Sequence, residues 1–272
     1  MMLYLRLIVV FFLLSQPGVL FAGEITKAVA ALQSIDDYYI TNNPAKVKAA
    51  PTFSLSSPAG LAPSGGVAFF GIGGIINVPG STTNIDGAMS LGYGLGDPVK
   101  NLALGFTLEL GSLLNNNMIG FDRGNLGISI AKYFPSLQMG VGMGIKSLTL
   151  WQGGDGTLDP SIDIAVTKFL KLGSFPVVLN AGVGNNAFLR LNDRTARPKY
   201  KVAPFGAVAI YVHPQLSLVV DQTAGITTIG GGIAPVAAWP ISLSFGIYDV
   251  SKIVPNHTKT SLIGSLSGAF TF

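Results

Sequence analysis

T-S-L-I-G-S-L-S-G-A-F-T-F, Thr260 to Phe272, is the stretch whose reading decides the fold. Counted back from the end, Phe272, Phe270, Gly268, Leu266, Gly264 and Leu262 fall on one face, and Thr271, Ala269, Ser267, Ser265, Ile263 and Ser261 on the other. The first face is mostly apolar and the second mostly small or polar. A period of two is that of a β-strand. An apolar face backed by a polar one, ending on an aromatic residue, is the pattern of a strand that crosses lipid in a closed barrel. The expectation is an all-β fold, a transmembrane antiparallel up-and-down barrel.

Working back from that strand, twelve segments of similar length carry the same alternation: 67–76, 85–95, 101–111, 124–134, 137–150, 161–170, 176–186, 202–212, 216–224, 227–234, 241–249 and 260–272. In the third, Leu102, Leu104, Phe106, Leu108 and Leu110 oppose Ala103, Gly105, Thr107, Glu109 and Gly111. In the fifth, Val141, Met143 and Ile145 oppose Gly140, Gly142, Gly144 and Lys146. A tilted membrane strand needs about 9–11 residues, which these segments supply. The connections alternate too. Asp97-Pro98, Pro135-Ser136, Leu172 to Ser174, Pro214-Gln215 and Pro235 to Pro240 are mostly short and proline-bearing, whereas most of the intervening loops are longer. Short turns on one side and long loops on the other is the asymmetry of outer-membrane barrels. Tyr133, Phe134, Phe169, Phe175, Tyr211, Trp239 and Phe272 lie near the short turns, where an interfacial aromatic girdle is expected, with Lys132 and Lys168 placed to snorkel.

The opposite end of the chain agrees. Arg6 precedes the apolar run Leu7 to Leu14, and Leu20-Phe21-Ala22 ends in a small residue, the layout of a secretory signal peptide over 1–22. Residues 23–65 divide into a short amphipathic helix, with Ile25, Val29 and Leu32 on one stripe, and a Ser/Pro/Gly-rich linker from Pro51. The helix is expected either as a periplasmic extension or as a plug in the lumen. The barrel occupies 66–272. Mean hydropathy is +0.51, charged residues make up only 11%, and Cys is absent. A hydrophobic exported chain without an 18-residue apolar run must satisfy its backbone as a barrel. A net charge of +4 without clustered basic helices argues against nucleic acid.

Gly92 to Lys100 (G-Y-G-L-G-D-P-V-K), Asp122-Arg123-Gly124 and Asn180 to Asn185 resemble a group of outer-membrane barrel proteins of unknown function, best represented in cyanobacteria. The resemblance covers about Pro51 to the C-terminus. It implies an exported barrel with no assigned activity, and brings no catalytic or binding residues with it.

The chemistry-bearing residues are few. The Gly-rich runs at 71–74, 92–96 and 140–144 lack the strand, turn and helix context that a phosphate loop needs. Glu109, Lys146, Asp163 and Asp221 fall on inward positions and are candidates for a pore lining. A filled barrel with these charges paired among themselves is the other reading. Arg190, Arg194, Arg197, Lys199 and Lys201 make a basic outer loop, either facing the anionic lipid surface or folded into the pore, where with Lys146 it would favour anions. Phe270 and Phe272 are candidates for the signal read by the barrel-insertion machinery. His213 and His257 lie at opposite ends of the barrel, which argues against a metal site, and His257 is one His among abundant serines, weak evidence for a hydrolytic Ser–His pair that also needs an orienting third group. The reading is of a passive pore for small hydrophilic solutes, with a non-conducting structural or surface-interaction barrel as the alternative and an outer-membrane hydrolase a distant third. It calls for no enzyme activity and no cofactor. The expected partners are the outer-membrane bilayer and the insertion machinery, with lipopolysaccharide a further candidate.

Overall fold

The computed structural model describes residues 50–78, 85–111, 114–115, 118–119, 123–152, 159–190, 193, 201–236, 239–254 and 259–272. The expected signal peptide and amphipathic helix lie outside these residues.

Twelve antiparallel strands close into a barrel: β1 (Val67–Ile76), β2 (Ile85–Gly96), β3 (Ala103–Gly111), β6 (Arg123–Phe134), β7 (Met139–Gln152), β8 (Ser161–Leu172), β9 (Phe175–Gly184), β10 (Ala203–His213), β11 (Leu216–Thr223), β12 (Ile226–Ile233), β13 (Ile241–Tyr248) and β14 (Ser261–Thr271). Two short strands, β4 (Leu114–Asn115) and β5 (Met118–Ile119), pair with each other in the connection between β3 and β6. Closure is made by β1 against β14, from Val67 opposite Thr271 to Ile76 opposite Leu262. Each strand expected from the sequence is present, with ends displaced by a few residues at most.

The alternation places side chains as the pattern requires. Ile72, Leu91, Leu104, Phe106, Ile164, Leu218, Phe245 and Leu266 are exposed on the outer wall. Glu109, Asn125, Asp163, Thr167, Asn180, Asp221, Ser242 and Ser267 are buried on the inner wall. The inner wall cannot be mistaken for a hydrophobic core turned inside out, because the apolar residues of these strands face the side where only lipid could remove them from water. Paired inner hydroxyls bridge neighbouring strands, Ser242 Oγ to Ser267 Oγ at 2.9 Å and Ser244 Oγ to Ser265 Oγ at 2.6 Å.

The aromatic girdle is smaller than the sequence suggested. Phe134, Phe175, Trp239 and Phe272 are exposed at the short-turn rim, but Phe169 and Tyr211 are buried inside the barrel. Tyr133 packs edge-on against Phe169, with ring centroids 6.1 Å apart. The reason is parity. Tyr133, Phe169 and Tyr211 occupy the inward register positions of β6, β8 and β10, which nearness to a turn does not reveal. Lys132 and Lys168 do reach the rim, where Lys132 Nζ donates to the Val99 and Lys100 carbonyls and Lys168 Nζ to the Leu137 carbonyl. In the short turn before β3, burial alone would raise the Asp97 carboxyl. The Lys100 and Val99 N–H groups that donate to it, with the charges of Lys100 and Lys132, hold it below its ordinary value instead.

Candidate functional site

The Ser/Pro/Gly stretch read as a linker lies inside the barrel. Ala50 to Ala62 is buried without interruption. This strap starts beside the short-turn ends of β10 to β12, where Tyr211 Oη donates to the Pro51 carbonyl (3.0 Å) and Ser217 Oγ to the Thr52 carbonyl (2.5 Å). It leaves at the short-turn end of β2, where Gly65 N–H donates to the Gly96 carbonyl (2.6 Å). Phe53, Leu55 and Leu61 join one apolar cluster with Phe169, Val178 and Tyr211. A short irregular segment has no ladder to satisfy its backbone, so burying it demands wall groups that do.

Asp221 supplies most of them. Its Oδ2 accepts the backbone N–H groups of Leu55 (2.9 Å), Ser56 (3.0 Å) and Ser57 (3.0 Å) and lies 2.8 Å from Ser54 Oγ and 2.9 Å from Ser57 Oγ. Its Oδ1 accepts the hydroxyls of Ser56 (2.6 Å) and Thr223 (3.1 Å). The binding line then follows the strand register. Asp221 is opposite Ala207, Ala207 opposite Asn180, Asn180 opposite Thr167, and Thr167 opposite Gly140. Along that line Asn180 Nδ2 donates to the Pro58 carbonyl (2.5 Å), and Gly60 N–H donates to Thr167 Oγ1 (2.9 Å). The strap therefore crosses the strands nearly at right angles, and small residues let it lie flat. A Cβ on Gly60 would stand 2.5 Å from the Gly140 carbonyl oxygen and 2.6 Å from that of Ala165.

Toward the long loops a charged group projects inward. Lys146 Nζ lies 3.7 Å from Asp163 Oδ1 and 5.5 Å from the centroid of the Phe188 ring. A β-bulge aims it. Ser147 takes a φ of 59°, and the register against β6 shifts by a residue between Leu126 and Ile128. Bulges re-aim side chains in this way. Glu109, 4% exposed, faces the same space from β3, and its Oε2 has no hydrogen-bond partner among the described residues.

Between the strap and the long-loop end, part of the lumen is not filled by side chains. The inward hydroxyls of Ser90, Thr107, Ser129 and Ser265 are only half-buried. Those of Thr167, Ser217, Thr223 and Thr228, at equivalent inward positions on the other side, are 0–1% exposed. The chamber so defined lies along β14, β1, β2, β3 and β6. Toward the short turns it is bounded by buried Phe69, Ala103 and Ala131, and toward the long loops by buried Ile75, Val78, Ile226 and Val254.

All four sequence candidates for a lining thus face inward, but in different company. Asp221 holds the strap, Lys146 and Asp163 form a pair, and Glu109 stands at the chamber. Of the basic outer loop, Arg190 is exposed and stacks its stem against Gly225, and Lys201 Nζ is 2.5 Å from Asp193 Oδ1. Arg194, Arg197 and Lys199 lie outside the described residues, as does His257. His213 Nδ1 accepts the Gln215 N–H in a tight turn (3.2 Å). Phe270 stacks on Phe70, with centroids 6.1 Å apart, and the Phe272 ring is 91% exposed. Sequence reasoning missed the strap residues Ser54, Ser56 and Ser57 and their partners Asn180 and Thr167. One signal was there: residues 51–65 carry no charge yet include Phe53, Leu55 and Leu61, which a solvated linker has no use for.

No protein-family model matches the chain, and no curated protein matches it. Among solved structures it is similar to an outer-membrane channel from Pseudomonas putida F1, at 13% identity and a TM-score of 0.47, over 77% of this chain and 97% of the other. It is also similar to outer-membrane phospholipase A from Escherichia coli, at 11% identity and 0.44, over 76% and 96%. A third is the outer-membrane protein Omp33 from Acinetobacter baumannii, at 9% identity and 0.41, over 76% and 97%. Likenesses this distant carry nothing about activity. The closed barrel of twelve antiparallel strands, its apolar outer wall and its one-sided short turns make the protein an outer-membrane β-barrel.

Proposed function

We propose that the protein is a passive pore for small hydrophilic solutes, kept narrow by its own strap. The supporting observation is the uneven burial of equivalent hydroxyls. Ser90, Thr107, Ser129 and Ser265 are only half-buried, in a chamber lined by small polar residues and glycines, where the strap seals the equivalent positions opposite. Solute would pass along this sector. On this reading the strap sets the bore and the barrel is not an enzyme. Phe270 and Phe272 present the insertion signal, and the basic outer loop meets lipopolysaccharide.

Single-channel recording of the purified protein tests the reading. The parent is expected to give a small conductance that rises several-fold in Asp221→Ala, where the strap loses its principal acceptor. A second reading, a non-conducting structural or surface-interaction barrel, is favoured by the buried residues that bound the chamber at both ends. Absence of conductance in both the parent and Asp221→Ala would establish that second reading over the first. Release of fatty acid from phospholipid vesicles would overturn the non-enzymatic part.

A further inference from the structure

The geometry points to a binding position for small cations in the chamber, set by Glu109, with selectivity opposite to the anion bias that Lys146 and the basic loop suggest from sequence. This deepens the pore reading by naming the class of solute.

Three observations carry it. First, Lys146 is not a free positive charge. Its ammonium lies 3.7 Å from Asp163, over the face of Phe188, and the bulge at Ser147 fixes it there. Second, Glu109 is in surplus. The group holds two carboxylates and one ammonium: Lys146 makes its ion pair with Asp163 and reaches Glu109 only through longer-range charge, so one positive charge serves two negative ones. Glu109 is 4% exposed, and its Oε2 lacks a hydrogen-bond partner among the described residues. A carboxylate oxygen so placed is only partly compensated unless a cation or donor comes to it. The neighbouring inward charges, Asp86 and Arg123, each have interactions of their own. Third, Glu109 borders the unfilled part of the lumen. Across the β2–β3 ladder it is opposite Ser90, a half-buried residue of the chamber wall, and across the β3–β6 ladder it is opposite the buried Asn125. One carboxylate beside a neutral hydroxyl residue, with no cluster of three strong ligands among the described residues, suits a monovalent ion or the ammonium head of a small amine.

The absence of cysteine makes the test clean. A single Ser90→Cys substitution places a near-isosteric thiol beside Glu109. Its rates of modification by methanethiosulfonates bearing trimethylammonium or sulfonate are measured in the folded full chain, each normalised to the rate with a small free thiol. A unit negative charge at about 7 Å, attracting one reagent and repelling the other across a water-like dielectric, gives a ratio of roughly tenfold in favour of the cation. Adding Glu109→Gln should bring the ratio near one. Adding Asp163→Asn instead, which frees Lys146, should lower it as well. Heat-modifiable mobility on a detergent gel establishes that each variant is folded. Equal rates in Ser90→Cys alone, or a ratio unchanged by Glu109→Gln, would overturn the cation position while leaving the pore reading intact. A Ser90→Cys thiol that reacts with neither reagent would overturn both, since ions would then not reach the chamber.

Discussion

Thr167 and Thr107 occupy inward positions on opposite sides of one lumen, and their surroundings differ throughout. Thr167 Oγ1 accepts the Gly60 N–H of the strap and donates to Asn180 Oδ1 (2.8 Å), and no solvent reaches it. Thr107 stands opposite Gly92 and Gly127, with its hydroxyl toward the chamber. The same residue type, presented by the same strand geometry, serves in one sector to seal the lumen and in the other to line it. Inward orientation therefore does not decide whether a position belongs to a pathway. What lies across from it does. The rule extends to the carboxylates: Asp221 is surrounded by strap donors and Glu109 by none.

The comparison breaks most severely at Asp221. Asp221→Ala removes the shared acceptor of three buried N–H groups and several hydroxyls. Since each hydrogen bond to a charged group contributes about 1.5–3 kcal/mol and a buried unpaired donor is itself unfavourable, strap docking should weaken by at least about 3 kcal/mol. A thiol introduced as Ala59→Cys, shielded in the parent, should become reactive in the double variant. If it stays silent, the strap is held by packing alone.

Gly60→Val attacks the same sector by volume. With backbone oxygens 2.5 and 2.6 Å from where its Cβ would be, the strap must lift from β7 and β8, a loss of about 1–3 kcal/mol. The gel-shift temperature should fall while the barrel still forms. The contrast is sharpened by placing one substitution in both sectors. Thr167→Leu should destabilise by about 2 kcal/mol through its two lost hydrogen bonds, and Thr107→Leu by less than about 1 kcal/mol. Thr107→Leu should instead reduce the conductance more. Equal effects on stability would mean the two sectors are packed alike.

At the rim, Phe272→Ala, which keeps the backbone N–H donated to the Gly66 carbonyl, should leave the stability of the assembled barrel within about 0.5 kcal/mol, because its side chain is almost wholly exposed, while the yield of assembled protein falls. An unchanged yield would remove Phe272 from the insertion signal. The smallest effect concerns Asp97, outside both sectors. Because its carboxyl is held below the ordinary value in the folded state, the stability it contributes is present above the ordinary carboxylate range and is lost as pH falls through the lowered value. Solvent screening keeps this under about 1 kcal/mol. The difference in melting temperature between the parent and Asp97→Ala should shrink in that acidic window and be constant at neutral pH.

The strands were legible in the sequence because a barrel wall is written locally. Lipid on one side and polar interior on the other impose a period of two on each segment, and a single strand such as Ser261–Thr271 displays it without reference to its neighbours. The inward positions of Glu109, Lys146, Asp163 and Asp221 followed from the same parity. The strap did not follow. Thr52 to Gly60 has no period and no ladder, and composition rich in Ser, Pro and Gly describes a solvated linker as well as a buried one. Its place is decided by Asp221, Asn180 and Thr167, more than a hundred residues away in the chain and brought into one line only by the register of β8 to β11. The sign of the lumen's free charge was hidden for the same reason. Sequence shows that Lys146 points inward, but only the packing of β7 against β8 puts its ion pair on Asp163 and leaves Glu109 with no more than the longer-range share of that charge. Local alternation determined the barrel, and contacts between distant strands decided which part of it is closed.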